Sequence, residues 1–327
     1  SQRARAITAV ELPRSMKNTV VKILSAAFFW TACHAGASCL DEAPRMFFLQ
    51  PSNEMAGQAS LLSKVLRDEL GHSKPLVLQW SRHGSNDYWP KSGAGWLQGA
   101  LQDAAPLYLI HGLYLDDRYD AALRGSDQKL SLLLQNSRQQ SVKQAKHLLQ
   151  AMPNGLRAWY LPEEIDDLNW QTPQRQKLLV EHLLALRQSL GAVKKGLPIH
   201  MSAYFGGHGS AQVFAAFLRT VHEQTGIVWI LQDGQGVIRS PAPDTLHYLR
   251  VIHETLPAQA WIGLIEAFDE RQVQGQTQYC PASANELRAR QAVWCLATGR
   301  AAQAVFSLSQ LHPEILGAGA NRCVQAR

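Results

Sequence analysis

Carboxylates follow closely on three short apolar runs of this chain. Glu163 and Glu164 come after Ala158–Leu161, Asp233 after Ile227–Leu231, and Glu266 after Trp261–Ile265. Two carboxyl groups on opposite sides of a glycosidic bond suffice to cleave it: one protonates the leaving oxygen, the other attacks the sugar or activates water. Glutamates after the fourth and seventh runs suit this chemistry if the fold brings them face to face. Glu163 and Glu164 compete for the first role, because neighbouring residues at a strand end point opposite ways. Asp166, Asp167 and Asp269 are read as helix-start charges or solvated loop carboxylates.

Other side chains near these acids suit sugars. Trp80, Tyr88, Trp89, Trp96, Tyr114, Tyr160, Trp170, Tyr204 and Phe205 fall at or just after the ends of apolar runs. Aromatic planes pack against the C–H faces of sugar rings, and amides such as Gln50, Gln79 and Gln232 take hydroxyls. About half of these aromatics are expected to cap the core instead. Other chemistries find less support. The 12 histidines include no His-x-His pair, and neither His222-Glu223 nor His253-Glu254 continues into HExxH, so no metal or other cofactor is expected. A Gly-x-Ser-x-Gly elbow is absent. Gly206-Gly207-His208-Gly209 could cradle a phosphate but reads better as a strand-to-helix turn.

The elements that must position these groups alternate. Eight runs, Met46–Gln50, Leu76–Trp80, Leu107–His111, Ala158–Leu161, Ile199–Ala203, Ile227–Leu231, Trp261–Ile265 and Ala304–Leu308, have the length and continuous apolarity of strands buried on both faces. Helical patterns lie between them, at Ala56–Leu70, Gln128–Met152, Gln174–Leu190, Ser210–Glu223, Asp244–Thr255 and Ala284–Thr298, with a weaker one at Gly95–Ala104. Alternation predicts a parallel sheet, and eight repeats predict its closure into a single-domain (β/α)8 TIM barrel, whose chemistry sits at the C-terminal strand ends. An open doubly wound sheet is the rival, but the first strand is followed by Pro51-Ser52-Asn53-Glu54 rather than a glycine-rich turn.

The formal net charge of +6 suggests a polyanion partner until its distribution is considered. Arg3, Arg5, Arg14, Lys17 and Lys22 precede residue 38 against Glu11 alone, which leaves 27 basic and 25 acidic residues beyond it. No nucleic-acid partner is expected. Met16 to Ala37 reads as a signal peptide: a basic start, an apolar stretch too short to span a bilayer, and small residues at Ala35-Gly36-Ala37. Residues 1–15 are then an upstream extension, residues 38–327 the barrel domain, and the location periplasmic or secreted, with no membrane span left after cleavage. Cys39, Cys280, Cys295 and Cys323 remain, which allows disulfides in three pairings.

Six phrases in order carry a resemblance: Leu78-Gln79-Trp80, Gly112-Leu113-Tyr114, Trp159 to Asp166, Ser202-Ala203-Tyr204-Phe205, Leu231-Gln232-Asp233-Gly234 and Ile265-Glu266-Ala267-Phe268. Together they resemble the bacterial domain of unknown function 4434, a group of glycoside hydrolase-like (β/α)8 barrels, over residues 45–313. The resemblance implies Glu164 rather than Glu163 as the strand-4 acid, with Asp233 and Glu266 as the matching acids. Two departures are Ala203, where the family tends to proline, and Ser307 to Leu311, which lacks an aromatic often seen there. The reading is a retaining glycoside hydrolase of a polysaccharide or oligosaccharide, with Glu164 as acid/base, Glu266 as nucleophile, Asp233 as an orienting acid, and Gln50, Gln79, Trp80, Tyr114, Tyr160, Tyr204 and Gln232 around the sugar. The alternative is a non-catalytic carbohydrate-binding barrel of an envelope or exopolysaccharide system.

Overall fold

The computed structural model describes residues 39–90, 95–105, 107–152, 154–238, 243–273, 275–317 and 323. The proposed signal segment and upstream extension lie outside them. Eight parallel strands close into a barrel: β1 (Met46–Leu49), β2 (Pro75–Leu78), β3 (Tyr108–Gly112), β4 (Leu156–Asp166), β5 (Ile199–Tyr204), β6 (Val228–Gln232), β7 (Trp261–Glu266) and β8 (Ala304–Phe306), each paired with its chain neighbours and β8 with β1. Closure disposes of the open-sheet rival.

Alternation explains the two cores. Met46, Phe48, Val77, Ile110, Ala158, Tyr160, Ile230 and Leu264 point inward and fill the barrel. Phe47, Leu49, Leu76, Leu78, Trp159, Leu161 and Ile265 point outward, under the helices. A strand covered on both faces must be apolar at successive positions, which is why the runs were visible in the sequence.

Among the described residues the helices of eight or more residues are α1 (Ala59–Leu70), α2 (Trp96–Asp103), α3 (Asp127–Ala151), α4 (Pro173–Val193), α5 (Ala211–Thr225), α6 (Thr245–Thr255) and α7 (Ala284–Thr298). Their starts follow from capping residues. Ser126, Thr172, Ser210 and Asp244 each accept a backbone N–H in the first turn, and Ser283 forms a capping box with Glu286. Among the described residues, β8 is followed by a short turn of helix, Leu308–Leu311, and a 3-10 turn, Pro313–Leu316.

Two elements depart from the expected pattern. β4 runs to Asp166 rather than stopping at Leu161. Its register with β5 jumps from Leu161↔Met201 to Ile165↔Ala203, so Pro162, Glu163 and Glu164 bulge opposite Ser202 alone. Proline, having no N–H to pair, fits such a break. In addition, Phe268–Val273 and Gln276–Pro281 form an antiparallel hairpin between β7 and α7. Disulfides join Cys39 to Cys295 and Cys280 to Cys323. Among the described residues no helix is long and apolar enough to cross a membrane.

Candidate active site

A cavity of about 600 Å³ opens at the C-terminal ends of the strands, and Glu164 and Glu266 both line it. Gln50, Tyr204, Gln232, Phe268, Tyr279, Phe306 and Gln310 complete most of its wall. The bulge in β4 turns Glu164 to this basin, a use of bulges common beside active sites. Gln232, at the end of β6, donates from Nε2 to Glu164 Oε1 at 2.7 Å. Across the cavity, Glu266 ends β7, is buried, and accepts the backbone N–H of Gly236 at Oε2, 2.7 Å away. Residue 236 has to be glycine: a Cβ there would stand 2.5 Å from the Phe268 carbonyl and 2.9 Å from Glu266 Oε2.

Asp233 does not line this cavity. Its carboxylate is fully buried and accepts from Gln235 Nε2 at 3.1 Å, Trp294 Nε1 at 3.3 Å and the backbone N–H of Glu266 at 3.4 Å. Burial raises its pKa to about 6, with the Arg290 charge and these donors opposing. Arg290 in turn donates to the carbonyls of Glu266 at 2.5 Å and Phe268 at 2.8 Å and pairs with Asp269. Asp233 and Arg290 thus brace the end of β7 from behind. Arg290 gave no signal in the sequence, being one arginine among several on a helix.

Glu163 lines neither this cavity nor the hollow beside it. Its carboxyl is buried, and desolvation, with the Asp116 charge added, pushes its pKa up to about 7. Asp166 accepts the N–H groups of Leu168 and Asn169, and the Tyr204 hydroxyl 3.3 Å away, so it shapes the turn after β4. Asp167 accepts the N–H groups of Gly206, Gly207 and His208 within 3.0 Å. Those N–H groups are therefore turned to a protein carboxylate, and the turn is not a phosphate cradle. Asp269 sits in the hairpin, paired with Arg290, rather than at a helix start.

The expected sugar-contacting residues divide. Gln50, Tyr204 and Gln232 line the main cavity, whereas Gln79 and Trp80 line the adjoining hollow with Glu164 and Tyr204. Tyr160 lies in neither, because β4 continues past it; its ring packs on Phe48 inside the barrel, and its hydroxyl bonds Ser202 at 2.7 Å. Tyr114 is buried with the Arg82 guanidinium over its ring, also outside both. Trp89, Trp170 and Phe205 are wholly enclosed. The aromatics that do face the cavity with Tyr204 are Phe268 and Tyr279 of the hairpin and Phe306 of β8. Phe306 supplies an aromatic at the end of β8, one residue before the stretch that lacks one. Among the described residues no group of three or more His, Cys, Asp or Glu could hold a metal ion.

The structure resembles the crystal structure of a protein from Bacteroides thetaiotaomicron provisionally described as an alpha-L-fucosidase, at a TM-score of 0.59 and 13% identity over 81% of this chain and 87% of that one. It also resembles the Bacillus cereus spore cortex-lytic enzyme SleL, at a TM-score of 0.50 and 10% identity over 84% of this chain and 73% of that one. At such identities the likeness is one of fold, that of the TIM barrel. In sequence, the chain is 31% identical over 180 residues to the uncharacterized protein YbcH of Escherichia coli K12, an alignment covering 54% of this chain and 59% of that relative. The model of one family matches residues 97–311, from α2 to the turn after β8. The chain belongs to that family, described as domain of unknown function DUF4434.

Proposed function

We propose that the protein is a glycoside hydrolase of the retaining, two-carboxylate type, acting on an oligosaccharide or polysaccharide. The observation that carries this reading is the placement of Glu164 and Glu266, on non-adjacent strands, in the wall of one cavity that also holds aromatic rings and amides. Glu164 is the acid/base and Glu266 the nucleophile. The Glu266 carboxylate attacks the anomeric carbon while Glu164 protonates the departing oxygen, leaving a glycosyl ester on Glu266 and a free hydroxyl on the leaving group. Glu164 then takes a proton from water, which attacks the same carbon and releases Glu266 as carboxylate. The Gly236 N–H and the bracing of β7 hold Glu266 in line, and the Gln232 amide fixes Glu164. Tyr204, Phe268, Tyr279 and Phe306 offer faces for sugar rings.

The protein works in the periplasm or outside the cell. Two disulfides suit an oxidising compartment, and the basic and apolar segment at residues 16–37 suits export.

A panel of polysaccharides assayed for new reducing ends tests the reading. Glu266→Gln should abolish cleavage of any substrate found, and Glu164→Gln should lower it by about 10²- to 10⁴-fold. Full activity of Glu266→Gln would overturn the assignment. Tight binding of oligosaccharides by the unaltered protein with no cleavage would point to a sugar-binding barrel instead.

A further inference from the structure

Beside the main cavity lies a second hollow of about 240 Å³, over the C-terminal ends of β2, β3 and β4. Gln79, Trp80, His83 and Asp117 contribute to it, and Glu164 and Tyr204 line it as well. Those two residues are thus the wall common to both spaces, while Glu266 lines the main cavity alone. Trp80 and Gln79 are each 7% exposed, yet Trp80 Nε1 and Gln79 Oε1 have no hydrogen-bond partner among the described residues. Both atoms are shut off from the hollow, so Trp80 can offer a ligand its ring but not its N–H.

We propose that this second hollow binds the sugar on the leaving-group side of the scissile bond. The inference rests on the glycosidase reading of Glu164 and Glu266. A general acid must reach the bridging oxygen, so it stands between the sugar being attacked and the one departing. The attacked sugar lies against Glu266 in the main cavity. The departing one then lies beyond Glu164, where Trp80 and its neighbour His83, ring centroids 4.6 Å apart, provide ring faces. Among the described residues Asp117 and Asp120 line this hollow, with Asp116 in its pair with Arg118, and no lysine or arginine lines it, which favours a neutral or amino sugar over a uronate. The substrate is accordingly a chain whose leaving group is itself a sugar.

Calorimetric titration of Glu266→Gln protein with xylo-, cello-, chito- and galacturono-oligosaccharides of two to six residues tests this. Affinity for one of the first three ladders should rise with length, and adding Trp80→Ala should remove about tenfold of it for the longer members only. The galacturonate ladder should show no Trp80-dependent gain. His83→Ala, a half-buried position at the rim, should weaken the same members more mildly and serves if Trp80→Ala unfolds, as judged by circular dichroism. Affinities within twofold of the parent in the folded variants, or no length-dependent binding of any ladder, would overturn the second subsite. Reducing-end release by the unaltered protein reports on the glycosidase reading separately: cleavage with no Trp80 or His83 dependence removes only the subsite, and Trp80-dependent binding without cleavage removes only the hydrolase.

Discussion

Glu163 and Glu164 share a residue type and are neighbours in sequence, yet the fold gives them opposite environments. One lines the cavity, and the other is buried with its pKa pushed up to about 7 from an ordinary 4.5. A carboxyl whose folded-state pKa is raised holds its proton more tightly when folded, so its contribution to stability is present below pH 4.5 and is lost as the pH rises through 7. Glu163→Gln removes that titration. The melting temperature of this variant relative to the unaltered protein should climb between pH 4.5 and 7 and level off above it, by about a few degrees; a pH-independent difference would refute the assignment. If Glu266 is the nucleophile proposed above, Asp233 positions it, since Asp233 touches the Glu266 backbone and not the cavity. Asp233→Asn should lower kcat while leaving KM within about twofold. A KM effect alone would place Asp233 on the substrate instead.

At the scale of elements, the bulge in β4 and the hairpin after β7 do most to shape the site. The bulge sets which glutamate faces the basin, and the hairpin adds Phe268 and Tyr279 to its wall. The Phe268 ring meets Tyr279 edge-on at 5.3 Å and Phe306 at 6.2 Å, so hairpin and β8 form one aromatic side of the cavity. Next to Tyr279, Cys280 ties the hairpin to Cys323. Cys323→Ser should therefore loosen the Tyr279 side and raise KM several-fold, with kcat less affected because Glu266 is braced separately by Asp233 and Arg290. Steady-state kinetics on a cleaved polysaccharide, or oligosaccharide titration, would show it.

Over the whole molecule, closure of the barrel is what holds the site in register. The Cys39–Cys295 disulfide joins the segment before β1 to α7, across a sequence separation of 256 residues. Loops this long lose much entropy when cross-linked in the unfolded chain, and removing such a bond costs about 2–5 kcal/mol. Cys39→Ser with Cys295→Ser should lower the melting temperature by roughly 10 °C, as scanning calorimetry can measure. The barrel also tolerates little at Gly112, where a Cβ would fall 2.2 Å from the Leu78 carbonyl oxygen and 2.3 Å from that of Gln79. Buried histidines set the acid limit. Desolvation lowers the pKa of His111 and His200 to about 4 and that of His182 to about 3, from 6.5. Their neutral forms favour the fold fully above pH 6.5, and that support is lost as the pH falls through 4 and 3. The melting temperature should therefore drop on acidification from pH 6.5 to 4.

The amino-acid sequence by itself determined the barrel, its eight strands and nearly all its helices, because strands covered on both faces must be continuously apolar and helix starts need capping side chains. It also placed Glu266, since a glutamate directly after a buried run has only the strand end to occupy. Residues alone left Glu163 and Glu164 undecided; family resemblance favoured Glu164. Only the tertiary structure supplied the physical reason, because a bulge breaks the alternation from which facing is read. Tyr160 looked like a strand end and is mid-strand, because β4 continues past it to Asp166. Which aromatics reach the cavity was also a tertiary matter. Phe268 and Tyr279 lie 11 residues apart on the two strands of a hairpin, and no local pattern says that its base folds back over the barrel mouth. The pairing of the four cysteines belongs to this class too, since it depends on distances between segments that only the closed barrel brings together.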